Sequence, residues 1–466
     1  MPKPAEQKQI QQYPNLREIY IALIRNYPSY KKYQSDYETF VSQINRSDPK
    51  WLRDTRSRAA TRFQELGFPT ANHGNERWKY TSVAPIAHSI FKYKPSTDTD
   101  EINLDDIRHS TPHDKEWTKL VFADGCYRQD LSHIHQNGTT IVSLSSCLKD
   151  PESRILKTHL ARYADFEGDG FTALNTAFLT DGAFIYVPDG IESTRPIHLV
   201  FLSTGQSQHT ASYPRALIMT GRNSKLTIIE SYVGLTDNPG LTNTVVEIAA
   251  GENSKIEHYR LLAESAESFH IGTTRVNLSR DSFFSSISIS RGAKLARNDL
   301  NVILGAPGSG CTIKGLYITS DSQHIDNHID IDHATPHTSS DQYFKGVLTD
   351  QSRAVFSGRV LMRKNAQKSN ASQKDLNLLL SDKARVNTKP SMEIYADDVQ
   401  AVHGATAGAV AEDALMYMRS RGIDKHTAMS LLVNGFTSEI IDEIKPAYLR
   451  GFVGKMFSAK GNINHI

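Results

Sequence analysis

The sequence predicts a mainly β chain: a β-solenoid core flanked by α-helical domains at the N- and C-termini. Three observations carry this reading. Apolar residues near both ends recur at helical spacing. The middle, from about residue 115 to 400, consists of short β-branched runs separated by Gly, Asn, Asp and Ser. Within it a unit repeats, since Gly221, Asn223, Ser224 and Lys225 return as Gly251, Asn253, Ser254 and Lys255, with the apolar Leu226 answered by Ile256.

Residues 1–90 read as an N-terminal helical domain. Leu16, Ile19, Tyr20, Leu23 and Ile24 form one apolar stripe, ending before Pro28. Asp48 and Pro49 then read as a cap and a first-turn proline. Trp51, Leu52, Ala59, Phe63 and Leu66 follow at near-helical spacing until Gly67 supplies a stop. The run from Gly67 through Glu76, Arg77, Trp78, Lys79, Tyr80 and Thr81 reads as a polar link, and residues 91–114 as a linker into the core.

The core is assigned to residues 115–405. Further units of turn followed by alternation begin near Arg280, Gly308, Gln351 and Asp382, and one more strand, such as Val245–Ile248 or Arg275–Leu278, fits between successive units. Two strands in each turn of about 30 residues suit coils that stack on their neighbours. A β-sandwich is the competing reading, because strand spacing fixes neither pairing nor handedness. Residues 406–466 are helical again. Arg419 and Arg421 before Gly422 suit a helix C-terminus, and Asp424 suits the cap of the next helix. Beyond it Ile440, Ile441, Ile444, Leu449, Val453 and Phe457 form an apolar stripe broken near Pro446, expected to pack on the end of the solenoid or to meet a partner.

Composition excludes several classes of function. With 53 basic and 51 acidic side chains in 466 residues the formal charge is +2, so no nucleic acid or anionic membrane is expected as the main ligand. No run approaches the roughly 18 apolar residues of a membrane-crossing helix. The residues around Glu6 resemble neither a secretory nor a transit signal, so the expected location is cytoplasmic. Cys126, Cys147 and Cys311 are too few and too scattered for a disulfide framework or for a four-thiolate zinc or iron–sulfur site. Any cluster needs donors from elsewhere.

Few constellations could carry chemistry. On a strand, period two places His324, Asp326, His328, Asp330 and Asp332 on one face and Ile325, Ile329 and Ile331 on the other. The isoleucines are expected inward and the polar row outward, either as a solvated side or as donors to a divalent metal, His324, Asp326 and His328 foremost. Adjacent strand residues diverge, so Asp397 and Asp398 cannot share one scissile bond as paired carboxylates must. Gly305, Gly308 and Gly310 lack the Lys and Ser/Thr of a phosphate-binding loop and read as a turn between coils. No Gly-x-Ser-x-Gly elbow supports a serine hydrolase. His403, beside Gly404 where the last strand gives way to helices, suits either a ligand contact or a satisfied turn.

The stretch from Gln342 to Ile423 is more specific. It includes Lys345, Gly346, Phe356, Gly358, Gln367, Lys368, Asn370, Gln373, Asn377, Ser381, Asp382, Lys389, Pro390, Glu393 and Tyr395, then Asp397-Asp398, His403-Gly404-Ala405-Thr406 and Arg419-Ser420-Arg421-Gly422. It closely resembles the SufB/SufD family of iron–sulfur cluster assembly proteins, and the His-Gly-Ala-Thr form is most similar to the SufD branch. Glu76 through Thr81 likewise resembles a SufD lead-in segment.

The resemblance implies a right-handed parallel β-helix between helical domains, and a non-catalytic scaffold that pairs with SufB and binds the SufC ATPase. It implies that His403 meets a transient Fe–S cluster shared with SufB, with no stable cofactor in the isolated chain; whether reduced flavin binds at the level of the complex is a question the sequence leaves open. The C-terminal helices, with Tyr417, Arg419 and Arg421 as candidate contacts, would dock SufC. One departure concerns Ala401, where many SufD sequences carry cysteine; no family role passes to Cys311. The rival expectations are a secreted-type β-helix polysaccharide lyase or hydrolase using Asp326, Asp330 and Asp332 with a metal, and a structural homodimer of the isolated chain.

Overall fold

The computed structural model describes residues 28–43, 48–71, 75–93, 102–135, 138–148, 153–205 and 209–458. The apolar stripe from Leu16 to Ile24 lies outside the described residues. From Lys225 onward the chain alternates between two sheets. Strands Gly240–Ala250, Phe269–Leu278, Leu295–Leu304, His324–His333, Arg353–Met362 and Arg385–Ile394 stack in the first. Strands Lys225–Gly234, Lys255–Ala263, Phe283–Arg291, Gly310–Thr319, Ser339–Leu348, Ser369–Leu379 and Val399–Gly408 stack in the second. All these pairings are parallel, so the core is a β-solenoid and not a sandwich.

The repeat has a physical cause. Lys225 pairs in register with Lys255 and Leu226 with Ile256, so the two copies are successive coils. Asn223 and Asn253 turn the chain at φ of 53° and 52°, a left-handed conformation that Asn tolerates. The Asn253 amide donates to Asn223 Oδ1 at 2.7 Å, while Ser224 and Ser254 each donate to the carbonyl three residues back at 2.8 Å. Asp281, Asp321 and Asp350 make the same left-handed turn. This corrects the phase of the repeat. Units at 221, 251, 280 and 308 open strands of the second sheet, whereas those at 351 and 382 open strands of the first, because both corners use one kind of turn.

Leu226, Ile256, Ile313, Ile329, Ile331 and Phe344 fill the interior between the sheets. A helical layer covers the outer face of each sheet. On the first sheet, Phe63, Phe68, Phe171 and Phe178 pack on Leu241, Phe269, Ile271 and Leu295. Gly67 ends helix Lys50–Leu66 at φ 63°, but Asp48 is no cap. It pairs instead with Arg56 at 2.6 Å, and Pro49 occupies the cap position without a side-chain bond. The segment read as a linker contains strand Lys92–Tyr93 and helix Leu104–Ser110, and the region assigned wholly to coils contains helices Leu144–Leu148, Arg154–His159 and Gly170–Ala177.

On the second sheet, Ile440, Ile441, Ile444, Leu449, Val453 and Phe457 pack on Ile229, Tyr259, Leu261, Ile287, Ile289 and Leu316. The C-terminal stripe therefore lies along the side of the solenoid and not over its end, since apolar outward residues recur there from coil to coil. Asp424 does cap helix Lys425–Ile441, accepting from the Thr427 amide at 3.0 Å. The buried Lys345 ammonium holds that helix through the Phe436 carbonyl at 2.9 Å and Glu439, and lies 4.3 Å from the Phe436 ring centroid. The last coil, Arg385–Ile394 and Val399–Gly408, pairs on one side only among the described residues, leaving Ile394, Tyr395 and Val402 exposed at the open end.

Candidate functional site

His403 lies in the last strand of the second sheet, in register with Gln373, which is in register with Gln342. Register partners in a parallel ladder share a face. Gln373 points into the solenoid: a Cβ on Gly358 of the opposite sheet would stand 1.9 Å from its Nε2. Its amide donates to Gln342 Oε1 at 3.1 Å. His403 thus sits on the inward-facing column at the exposed final coil, above two buried amides.

Two residues on from Gln373, and on the same face, is Asp375. Its carboxylate accepts from Asn377 Nδ2 at 2.8 Å through Oδ2, and the Thr388 side chain of the facing sheet hydrogen-bonds it as well. Burial pushes its pKa up to about 6, with Thr388 and Asn377 pulling the other way.

The neighbouring column runs Cys311, Ser340, Ala371, Ala401. Ala401 packs beside Ala371, Val360 and Met362 in a small apolar cluster, so no thiol stands next to His403. Cys311 is sealed in the core, where burial pushes its thiol far up. None of the three cysteines is in a disulfide among the described residues. The end of the solenoid therefore offers imidazole, amide and carboxylate but no thiolate.

The polar row does form a strand, His324–His333, with Ile325, Ile329 and Ile331 inward. It is not a solvated face, because residues 76–81 lie across it. Asp326 pairs with Arg297 and accepts from Thr81 Oγ1 at 2.6 Å, and Thr81 also meets His324 Nε2 at 3.0 Å. Asp330 and Asp332 pair with Arg359 and Arg363 at 3.1 and 2.6 Å. Burial and the nearby Arg297 hold the His328 imidazole well below its usual pKa. Burial alone would raise Asp299, but Arg77, Arg275 and Arg297 outweigh it. Among the described residues no three of His, Cys, Asp and Glu gather as metal donors, so His324, Asp326 and His328 do not form a metal centre. Asp398 pairs with Lys368 in the adjacent turn.

Tyr417, Arg419 and Arg421 lie at the end of helix Glu412–Ser420, which has no buried residue. Arg421 stacks 5.2 Å from the Tyr417 ring centroid. Sequence reasoning missed a charged cluster inside the solenoid. Glu230 and Arg260 occupy the same place in the two repeat copies and are register partners, a signal that was present in the alignment of the copies. The Tyr232 hydroxyl donates to Glu230, and His270 bridges Arg260 and Glu264.

Residues 201–436 match the family model described as SUF system FeS cluster assembly, SufBD core domain, and residues 27–199 match the SufBD protein N-terminal region. An iron–sulfur cluster assembly SufBD family protein of Synechocystis is 32% identical over 90% of this chain and 93% of its own length. The iron–sulfur cluster assembly protein SufD of Escherichia coli is 27% identical, over 82% of this chain and 87% of its own. SufD of Bacillus subtilis is 24% identical over 85% and 91%.

Proposed function

The chain belongs to the SufBD family of the SUF iron–sulfur cluster assembly system, and on that premise we propose that it is the SufD-like scaffold subunit of a cytoplasmic assembly complex. In this reading its last coil pairs with SufB, its C-terminal helices carry the SufC ATPase, and the chain itself is non-catalytic. The cluster is transient cargo formed between the subunits; SufB supplies thiolate and this chain supplies His403.

The single observation that carries the reading is the position of His403 on the inward column of an exposed final coil that, among the described residues, is paired on one side only. A strand edge left open is a ready pairing surface, and neutral imidazole is a competent iron ligand. An imidazole at such an edge is completed only by a second subunit. Weak, shared ligation suits a cargo that must leave again.

The helices support the rest of the reading. Helix Lys425–Ile441 is fixed to the second sheet through Glu439, and the turn after it through Glu443, whereas the preceding helix Glu412–Ser420 buries no residue. ATP-driven closure of SufC against that free end would pull on the last coils, a population shift set by ligand binding elsewhere.

The test is reconstitution with SufB and SufC under anaerobic iron and sulfide loading. His403→Ala is expected to form the complex and lose its cluster absorbance; a normal cluster yield refutes the assignment. A stable homodimer that excludes SufB would favour the structural reading instead. The polysaccharide-cleaving alternative has no supporting observation, because its carboxylates are each engaged by an arginine.

A further inference from the structure

Each coil passes from the second sheet to the first at a corner, and a groove of about 660 Å³ runs along these corners. It spans six of them in succession, from Leu235 to Leu380, which at about 4.8 Å per coil is roughly 24 Å of length. The lining is part apolar and part acidic. Ile318, Leu380 and Met456 are only partly buried, and Asp237, Asp321 and Asp350 form no ion pair among the described residues. The bonds at Asp321 and Asp350 are local: Ser320 Oγ donates to Asp321 at 3.2 Å, and Asp350 accepts from the Asp321 amide at 3.0 Å and from Thr349 Oγ1 at 2.9 Å. Arg291, the one basic side chain of the described lining, donates to the Met456 carbonyl at 2.6 Å. Such a lining is complementary to an extended segment that is basic and partly apolar.

Met456 belongs to helix Ala447–Phe457, whose path leads into the groove. Tyr448 in its first turn lies 6.4 Å from the Trp117 ring, beside strand Thr118–Ala123 near the start of the stack, and its end meets Arg291, so the helix climbs toward later coils. Ser458 follows it, and then residues 459–466. Eight residues in extended form reach roughly 27 Å, whereas Asp321 and Asp350 lie one and two coils beyond Arg291, about 5 and 10 Å along the stack. The segment carries Lys460, Ile463 and His465 and no acidic side chain. We propose that residues 459–466 lie along this groove as an extended strap, with Lys460 at Asp321 and Asp350 and Ile463 against Leu380. The strap fastens the C-terminal helical layer to the corner that leads into strand Arg385–Ile394, the last of the first sheet among the described residues. It does not depend on the reading of His403.

Carbodiimide coupling of the full-length chain tests this, because it joins an amine to a carboxylate only where the two touch. Peptide mass spectrometry is expected to find Lys460 joined to Asp321 or Asp350 within one molecule, and Asp321→Asn with Asp350→Asn is expected to abolish that link. Both aspartates stand at φ of 53°, a turn that Asn also adopts, so the double variant keeps the corner. Lys460→Glu with Ile463→Asp is expected to speed amide exchange at residues 349–352 and 380–384 by about twofold to fivefold, the scale of one exposed charge pair. Melting curves confirm the folding of each variant. The absence of a Lys460 link to either aspartate overturns the strap, as does exchange that ignores the Lys460 and Ile463 substitutions. Mixing isotopically labelled and unlabelled chains separates the occupants: links that join a labelled to an unlabelled chain place a second copy's segment in the groove and overturn the proposal.

Discussion

The Arg297 guanidinium lies 4.0 Å over the Trp78 ring, joining the N-terminal layer to the outer face of the first sheet. Arg297 also pairs with Asp326 and Asp299, so one stacked cation ties residues 76–81 to the start of the polar row. Trp78→Ala removes a buried aromatic and its cation–π contact, and is expected to cost about 3–5 kcal/mol in urea unfolding. A loss under 1 kcal/mol would show that residues 76–81 merely rest on the sheet.

Lys345 and Glu439 should respond asymmetrically. The lysine is buried and the glutamate exposed. Glu439→Ala strands a buried ammonium with only the Phe436 carbonyl and should cost about 2–3 kcal/mol, while Lys345→Met replaces the charge with an apolar chain and should cost less than about 1 kcal/mol. Amide exchange across residues 425–441 would report the same order, and equal effects would contradict it.

Asp375 makes a pH signature. Its pKa is raised from 3.8 to about 6, so the folded state binds more protons than the unfolded chain between those values. Its contribution to stability is therefore present below about pH 4 and is lost as pH rises through about 6. Asp375→Asn should be more stable than wild type at pH 7, by an amount of order 2–3 kcal/mol, and the difference should vanish near pH 4. A pH-independent difference would refute this.

Gly358→Ala should couple to Gln373. The added methyl would meet Gln373 Nε2 at 1.9 Å and Phe356 at 2.8 Å. A cost of about 1–3 kcal/mol is expected, part of it recovered in the Gly358→Ala, Gln373→Ala double variant. A double-mutant cycle with no coupling would mean that Gln373 does not cross the interior.

Arg419→Glu with Arg421→Glu should leave stability within about 0.5 kcal/mol, since both residues lie on an exposed helix end. Co-purification with SufC should fall sharply. Unchanged recovery would place the ATPase elsewhere.

Much of the fold was legible in the sequence because periodicity is local. The Asn-Ser turn and the alternation after it announce a coil from ten residues, and Gly67 and Asp424 mark helix ends by their own chemistry. What could not be read depends on distant cover. Period two correctly sorted the residues of 324–333 into two faces, yet nothing local shows that Thr81, 245 residues away from Asp326 in the chain, seals the polar one. The side-on docking of the last helices was hidden similarly, because outward Ile229, Leu261 and Ile289 look like ordinary strand residues until they recur in space. His403 was legible by motif, whereas its place above Gln373 and Gln342 on one inward column came only from the register.

Each rung of the solenoid leans on the rungs beside it, and among the described residues the final one has a single neighbour. Remodelling it works against one set of ladder bonds where an inner rung would resist with two, so the molecule is softest at the place where it has most to offer. A visiting subunit can bend that terminus to its own shape while the floors below keep their form.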